Sequence, residues 1–201
     1  MRKMVCHGDS LTEAADLAKN YTWPILVEGK LKLKTINSGI GGDTSGGLLS
    51  RFYADVVRHQ PDLVVILGGT NDLWWDLEVN QIQANIFAMV CQAQFHNITP
   101  IVGLPIPLLM KNIQHQEMMA PIAGWQKCVQ KLSDLVVALK TSARQSDIVC
   151  LDFYHPFLDK NGVALGKYYL EDGLHPNKQG HRLMAEMTVD LLHNQFHFNH
   201  K

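Results

Sequence analysis

The stretch Leu63-Val64-Val65-Ile66-Leu67 decides the fold. It holds no polar residue, and an uninterrupted apolar run of strand length suits a strand covered on both faces, as in a parallel sheet. Similar short runs flank it, at residues 3–6 and 33–36 before it and at 98–104 and 148–151 after it. Helical signals separate the runs. Residues 45–58 follow Asp43-Thr44, either of which can act as an N-cap. Residues 78–96 carry Ile82, Ile86, Met89, Val90 and Ala93 at helical spacing. Residues 117–144 form a long helical stretch with a break at Pro121. Residues 177–194 follow Pro176, and proline is favoured at the first helical position. Strands alternating with helices predict a doubly wound α/β sheet with helices on both faces. The whole chain, residues 1–201, reads as one domain with a frayed tail from about residue 195.

Composition narrows the partners. Lys plus Arg is 18 and Asp plus Glu is 19, a net charge of -1, so there is no electrostatic reason to expect nucleic acid or a membrane surface as partner. With 46% hydrophobic and 18% charged residues the chain is not disordered. No apolar run approaches the ~18 residues of a membrane helix, and Met1 to Cys6 is too short for a signal-peptide core, so a cytoplasmic location is expected. Cys6, Cys91, Cys128 and Cys150 lack the two-residue spacing of zinc or redox motifs and read as buried free thiols.

In an open parallel sheet, ligands bind beyond the carboxyl ends of the strands. The first predicted strand is followed by His7-Gly8-Asp9-Ser10-Leu11, the second by Asn37-Ser38-Gly39-Ile40-Gly41-Gly42-Asp43-Thr44, and the third by Gly68-Gly69-Thr70-Asn71-Asp72. Near the end, Asp172-Gly173-Leu174-His175-Pro176 precedes the last helix. These residue types suit acyl transfer. A serine hydroxyl becomes a nucleophile when an imidazole takes its proton, a carboxylate fixes the imidazole's tautomer, and amides stabilise the oxyanion.

On these blocks the sequence resembles the GDSL, or SGNH, family of serine esterases and lipases. The resembling blocks run in family order from residue 7 to residue 176. The resemblance implies a three-layer α/β/α, flavodoxin-like fold with a five-stranded parallel sheet. It implies Ser10 as nucleophile, His175 as base and then acid, and Asp172 as the group that orients His175. It further implies an oxyanion hole of the Ser10 amide, the Gly42 amide and the Asn71 side chain, with no metal or cofactor. The expected substrate is a small ester of short to medium acyl length. Acetylated carbohydrates, lysophospholipids and acyl thioesters are alternatives, and a flavin- or nucleotide-binding module is a remote one. Where this family usually has an apolar or aromatic residue before the first glycine, this chain has His7.

Other readings compete at several positions. Ser10 could cap a helix, Gly41-Gly42 could form a turn or cradle a phosphate, and Asn71 could be a turn residue. Asp43 and Asp72 read as structural. Asp152-Phe153-Tyr154-His155-Pro156 repeats the spacing of the later Asp-His motif but directly follows the fifth predicted strand. Trp74, Trp75, Pro105 and Ile106 are read as walls of the substrate pocket, with Met118 and Met119 in a flap. His193, His197 and His200 are read as a solvated end, and His59, His96, His115 and His181 as surface or helix-end residues.

Overall fold

A computed structural model describes residues 2–113 and 120–198. Five parallel strands form one sheet in the order β2-β1-β3-β4-β5. They are β1 (Arg2–Gly8), β2 (Leu33–Gly39), β3 (Leu63–Leu67), β4 (Thr99–Leu104) and β5 (Val149–Asp152). β1 and β2 each run further than the apolar pattern suggests, because their last residues are the polar and glycine positions that lead into the loops. The helices are α1 (Ser10–Glu13), α2 (Trp23–Lys30), α3 (Ser45–Asp55), α4 (Thr70–Trp74), α5 (Val79–Phe95), α6 (Met110–Ile113), α7 (Trp125–Gln145) and α8 (Lys178–Phe196).

Strand alternation divides the core in two. Val64 and Ile66 of β3, with Val5 of β1, face Leu48, Phe52, Ile82, Ile86 and Leu135 of α3, α5 and α7. Leu63, Val65 and Leu67, with Met4 and Cys6, face Trp23, Val27, Met184 and Leu192 of α2 and α8. Every residue of β3 is buried, as expected for a strand with a helical layer on each face. Each fully buried aliphatic side chain contributes about 1.5–3 kcal/mol of transfer free energy.

Several local expectations are corrected. The third helix ends at Asp55 and a 3-10 turn, Val57–His59, follows. The long helix begins at Trp125, behind Gly124 at φ 81, and the expected start at Glu117, with His115, Met118 and Met119, lies outside the described residues. Asn177, not Pro176, opens the last helix, its side chain accepting from the amides of Gln179 and Gly180. That helix continues to Phe196, and Phe196 and Phe198 pack on the second core, Phe198 beneath the Arg2 guanidinium, while Gln195 and His197 are exposed. Of the cysteines, Cys6 and Cys128 are buried, whereas Cys91 is exposed on α5.

Two histidines belong to the core. His7 points into the first helical layer, edge-on to Phe52, with ring nitrogens bonded to the Leu48 carbonyl at 3.0 Å and to Ser38 Oγ at 3.2 Å. His181, expected at the surface, is buried, and its Nδ1 accepts from the Trp23 amide at 3.3 Å. Burial lowers each from its ordinary 6.5 to about 4. The unfolded chain protonates both rings near pH ~6.5, so between there and about pH 4 it holds two more protons on these residues than the native state. Stability therefore falls with falling pH, by about 1.4 kcal/mol per unit per ring. Asp9, which burial raises from 3.8 to about 7, has the opposite sign and offsets one ring. Asp72, also raised by burial, shares the sign of Asp9, so a scan of Tm from pH 6.5 to 4.5 is expected to show a net loss of stability of at most about 1.4 kcal/mol per unit, and His7→Phe to flatten the slope. A wild-type Tm independent of pH over this window contradicts the neutral buried rings.

Candidate active site

The register of the sheet brings three loops to one rim. Gly8 at the end of β1 pairs with Gly39 at the end of β2 and with Leu67 at the end of β3. The strand order reverses between β1 and β3, which is where an open α/β sheet forms its ligand crevice. Gly39 permits the close approach, since a Cβ there would lie 2.1 Å from the Glu13 amide nitrogen.

Asp9 caps α1, its Oδ1 accepting from the Leu11 amide at 2.9 Å. Ser10 is thus the first residue of the helix rather than its cap, and its hydroxyl is free for another partner. That partner is His175, whose Nε2 lies 2.9 Å from Ser10 Oγ across 165 residues of sequence. His175 Nδ1 lies 2.6 Å from Asp172 Oδ2, while Asp172 Oδ1 accepts the amides of Leu174 at 2.8 Å and His175 at 3.0 Å. With a carboxylate on Nδ1, that nitrogen carries the proton and Nε2 is left to accept from the Ser10 hydroxyl.

The turn that carries this pair is held at both ends. Leu170 donates to the His175 carbonyl at 2.8 Å, and Leu109 donates to the Gly173 carbonyl at 2.9 Å. Gly173 stands at φ 69, where a Cβ would meet the Leu109 carbonyl oxygen at 2.9 Å. The bond to Asp172 raises the His175 pKa above its ordinary 6.5, against partial burial. Burial would raise the Asp172 carboxyl, but the His175 ring and the amides of His175 and Leu174 hold it below 3.8.

Gly42 and Asn71 flank Ser10 on the same cavity. Gly42 sits at φ 76 with open space where a Cβ would be. The amides of Ser10 and Gly42 donate to no described residue. Asn71 Nδ2 gives one hydrogen to the Asp43 carbonyl at 2.9 Å, which aims the amide and leaves its second hydrogen. Asp72 is fully buried and accepts from the Ser45 amide at 2.8 Å and the Ser45 hydroxyl at 2.5 Å, fastening the third loop to the second. Asp43 instead binds the Arg51 guanidinium at 2.7 Å.

Arg51 is a residue the sequence does not single out. From α3 it also donates to the carbonyls of Gly8 at 2.9 Å and Ser38 at 3.0 Å, and to Asp55 at 2.6 Å. One planar cation therefore ties β1, which leads into Ser10, to the glycine loop. Only the packing of α3 over β1 and β2 reveals this, since its partners are scattered along the chain.

The cavity above Ser10 has a volume of about 480 Å³, within the usual ~300–1,000 Å³ of small-molecule sites. Trp74 and Trp75 both line it, Trp74 edge-on to Trp125 and Trp75 64% exposed. Pro105 and Ile106 do not line it. Ile106 is packed into the second core, and Leu108 reaches the cavity instead, because the segment after β4 enters the core before it turns outward. His181 also lines the cavity. The second Asp-His motif forms the same local pair, with His155 Nδ1 2.7 Å from Asp152 Oδ2, but it stands at the end of β5 away from this cavity. Among the described residues no cluster of His, Cys, Asp or Glu could hold a metal ion. None of the helices described is long and apolar enough to cross a membrane.

The chain is 25% identical over 195 residues to an arylesterase of Vibrio mimicus, covering 94% of this chain and 88% of that one. It is 24% identical over 187 residues to thioesterase 1/protease 1/lysophospholipase L1 of Escherichia coli K12, covering 92% and 80%. The crystal structure of a lipase/acylhydrolase from Enterococcus faecalis superposes with a TM-score of 0.79 at 23% identity, covering 100% of this chain and 99% of that one, a likeness of fold. The GDSL-like lipase/acylhydrolase family matches residues 6–183, so the chain belongs to that family.

Proposed function

We propose that the protein hydrolyses small carboxylic esters through a Ser10 acyl-enzyme. The observation that carries this reading is the unbroken chain of hydrogen bonds from Ser10 Oγ through His175 to Asp172, opening on the cavity. Ser10 Oγ attacks the ester carbonyl carbon as its proton passes to His175 Nε2, and Asp172 stabilises the imidazolium. The carbonyl oxygen, now anionic, takes hydrogen bonds from the Ser10 and Gly42 amides and the free hydrogen of Asn71. The tetrahedral intermediate collapses, the alcohol leaves with the proton from His175, and the acyl group stays on Ser10. Water then attacks the acyl-enzyme with His175 again as base, and the carboxylic acid departs. Each step uses groups of this chain and water alone.

Short to medium acyl chains fit a cavity of about 480 Å³ that must also admit the alcohol. Hydrolysis of p-nitrophenyl acetate, butyrate, octanoate and palmitate is expected to peak at butyrate or octanoate. A rate that climbs steadily to palmitate would overturn the size limit. Acetylated sugars, lysophospholipids and thioesters are alternative substrates for the same chemistry. A cytoplasmic setting belongs to this reading. The four cysteines are all free, one of them exposed, and unpaired thiols suit a reducing compartment. Fractionation of the native host tests it.

A further inference from the structure

We propose that the cavity is a charge filter: the carboxylates of Glu13 and Asp16 favour neutral and cationic esters and turn away esters bearing phosphate or carboxylate groups. The inference rests on the ester-hydrolase reading above and names the substrate class for the same site.

The segment that follows the nucleophile creates the rim. α1 ends after four residues because Ala14 adopts the left-handed conformation, φ 53. The chain then turns back along the opening, and residues 13–17 line it. Glu13 is half-buried and its Oε2 accepts from the Gly41 amide at 2.6 Å, so its charge is held at the glycine loop. Asp16 is exposed on the same wall and close enough to His175 to help raise that ring's pKa. Neither carboxylate forms an ion pair among the described residues.

The remaining titratable groups do not cancel this charge. Among the described residues no lysine or arginine lines the cavity. His181 is kept neutral by burial, Asp9 is buried beneath Ser10 and adds no positive charge, and His175 is cationic only in the form that cannot act as base. Trp74, Trp75, Leu108 and Leu174 give much of the wall an apolar surface. An incoming anion therefore meets two like charges with no counterion, while an uncharged aryl or alkyl group meets hydrophobic surface. Coulomb's law at 6–8 Å in a partly aqueous opening gives on the order of threefold to tenfold discrimination per carboxylate and unit charge.

The test uses one ester class. Phenyl butyrates with para nitro, para carboxylate and para trimethylammonium groups are hydrolysed by the wild type, each kcat/KM divided by its rate with hydroxide. p-Nitrophenyl hemisuccinate places the anion on the acyl side instead. At low salt the neutral ester is expected to exceed at least one of the two anionic esters by about tenfold, and the cationic ester to match or exceed the neutral one. Salt at ~1 M, where the screening length is ~3 Å, should shrink the gap to about twofold. Asp16→Asn is expected to narrow the low-salt gap by about threefold, and Asp16→Lys to close or invert it. Removing the Asp16 charge should also move the pH midpoint of kcat/KM downward, which a purely structural role would not do. Equal normalised rates on neutral and both anionic esters, or a preference unchanged in Asp16→Lys, would overturn the filter while leaving the hydrolase intact. Absence of p-nitrophenyl butyrate turnover in the wild type would overturn both.

Discussion

Ser10→Ala is expected to lower kcat on p-nitrophenyl butyrate by about 10⁴- to 10⁶-fold, with circular dichroism and Tm close to the wild type. The size follows from the route. Without Oγ there is no acyl-enzyme, and what remains is binding beside the oxyanion donors. The fold should tolerate the change, because Asp9 rather than Ser10 caps α1 and among the described residues the hydroxyl bonds only to His175. Equal turnover by mutant and wild type would return Ser10 to a bystander's role and make the hydrolysis incidental.

Asp172→Asn is expected to cost about 10³- to 10⁴-fold in kcat. The asparagine amide can present a hydrogen to His175 Nδ1, which favours the tautomer with its proton on Nε2, unable to accept from Ser10. The wild-type midpoint of kcat/KM against pH should lie above 6.5, since the bond to Asp172 is the main cause that raises His175. A histidine base works only when deprotonated, so the rate rises with pH through that midpoint. In Asp172→Asn the residual activity should show a lower midpoint. Asp152→Asn is the matched control. It removes the carboxylate of the second Asp-His pair, and kcat/KM is expected to stay within about twofold because His155 does not line the cavity on which Ser10 opens. Comparable losses from both substitutions would show that position in the fold does not separate the two pairs.

Asp152-His155 and Asp172-His175 share spacing and a following proline, and both fold into the same i,i+3 pair with nearly equal bonds of 2.7 and 2.6 Å. Local sequence builds the pair in each place. Sequence separates the two only through the resemblance to a family and the helix that follows His175. In the structure the choice is geometric, since one ring reaches Ser10 and the other stands at the end of β5. Pro105 and Ile106 fall outside the expected pocket wall for a related reason: apolar residues after a strand can line a cavity or fill a core, and their chemistry is the same in both.

By itself, the sequence determined the elements whose signals are short-range. The apolar run of β3, the helical period of α5 and the turns rich in glycine, asparagine and aspartate each act within a few residues, so alternating strands and helices and a doubly wound sheet are legible. It also exposed the loops where polar groups gather, because strand ends and turn residues are adjacent in the chain. The tertiary structure alone decided what those groups touch. The pairing of Gly8 with Gly39 and Leu67 aligns loops from three strands. Arg51 binds them through partners on β1, β2 and α3. His181 turns inward although it lies on a mostly polar helix, because the amide of Trp23 requires an acceptor where the second layer closes. Such contacts join residues far apart in sequence, and their geometry depends on strand register and on the depth to which each helix packs, quantities that no local pattern encodes.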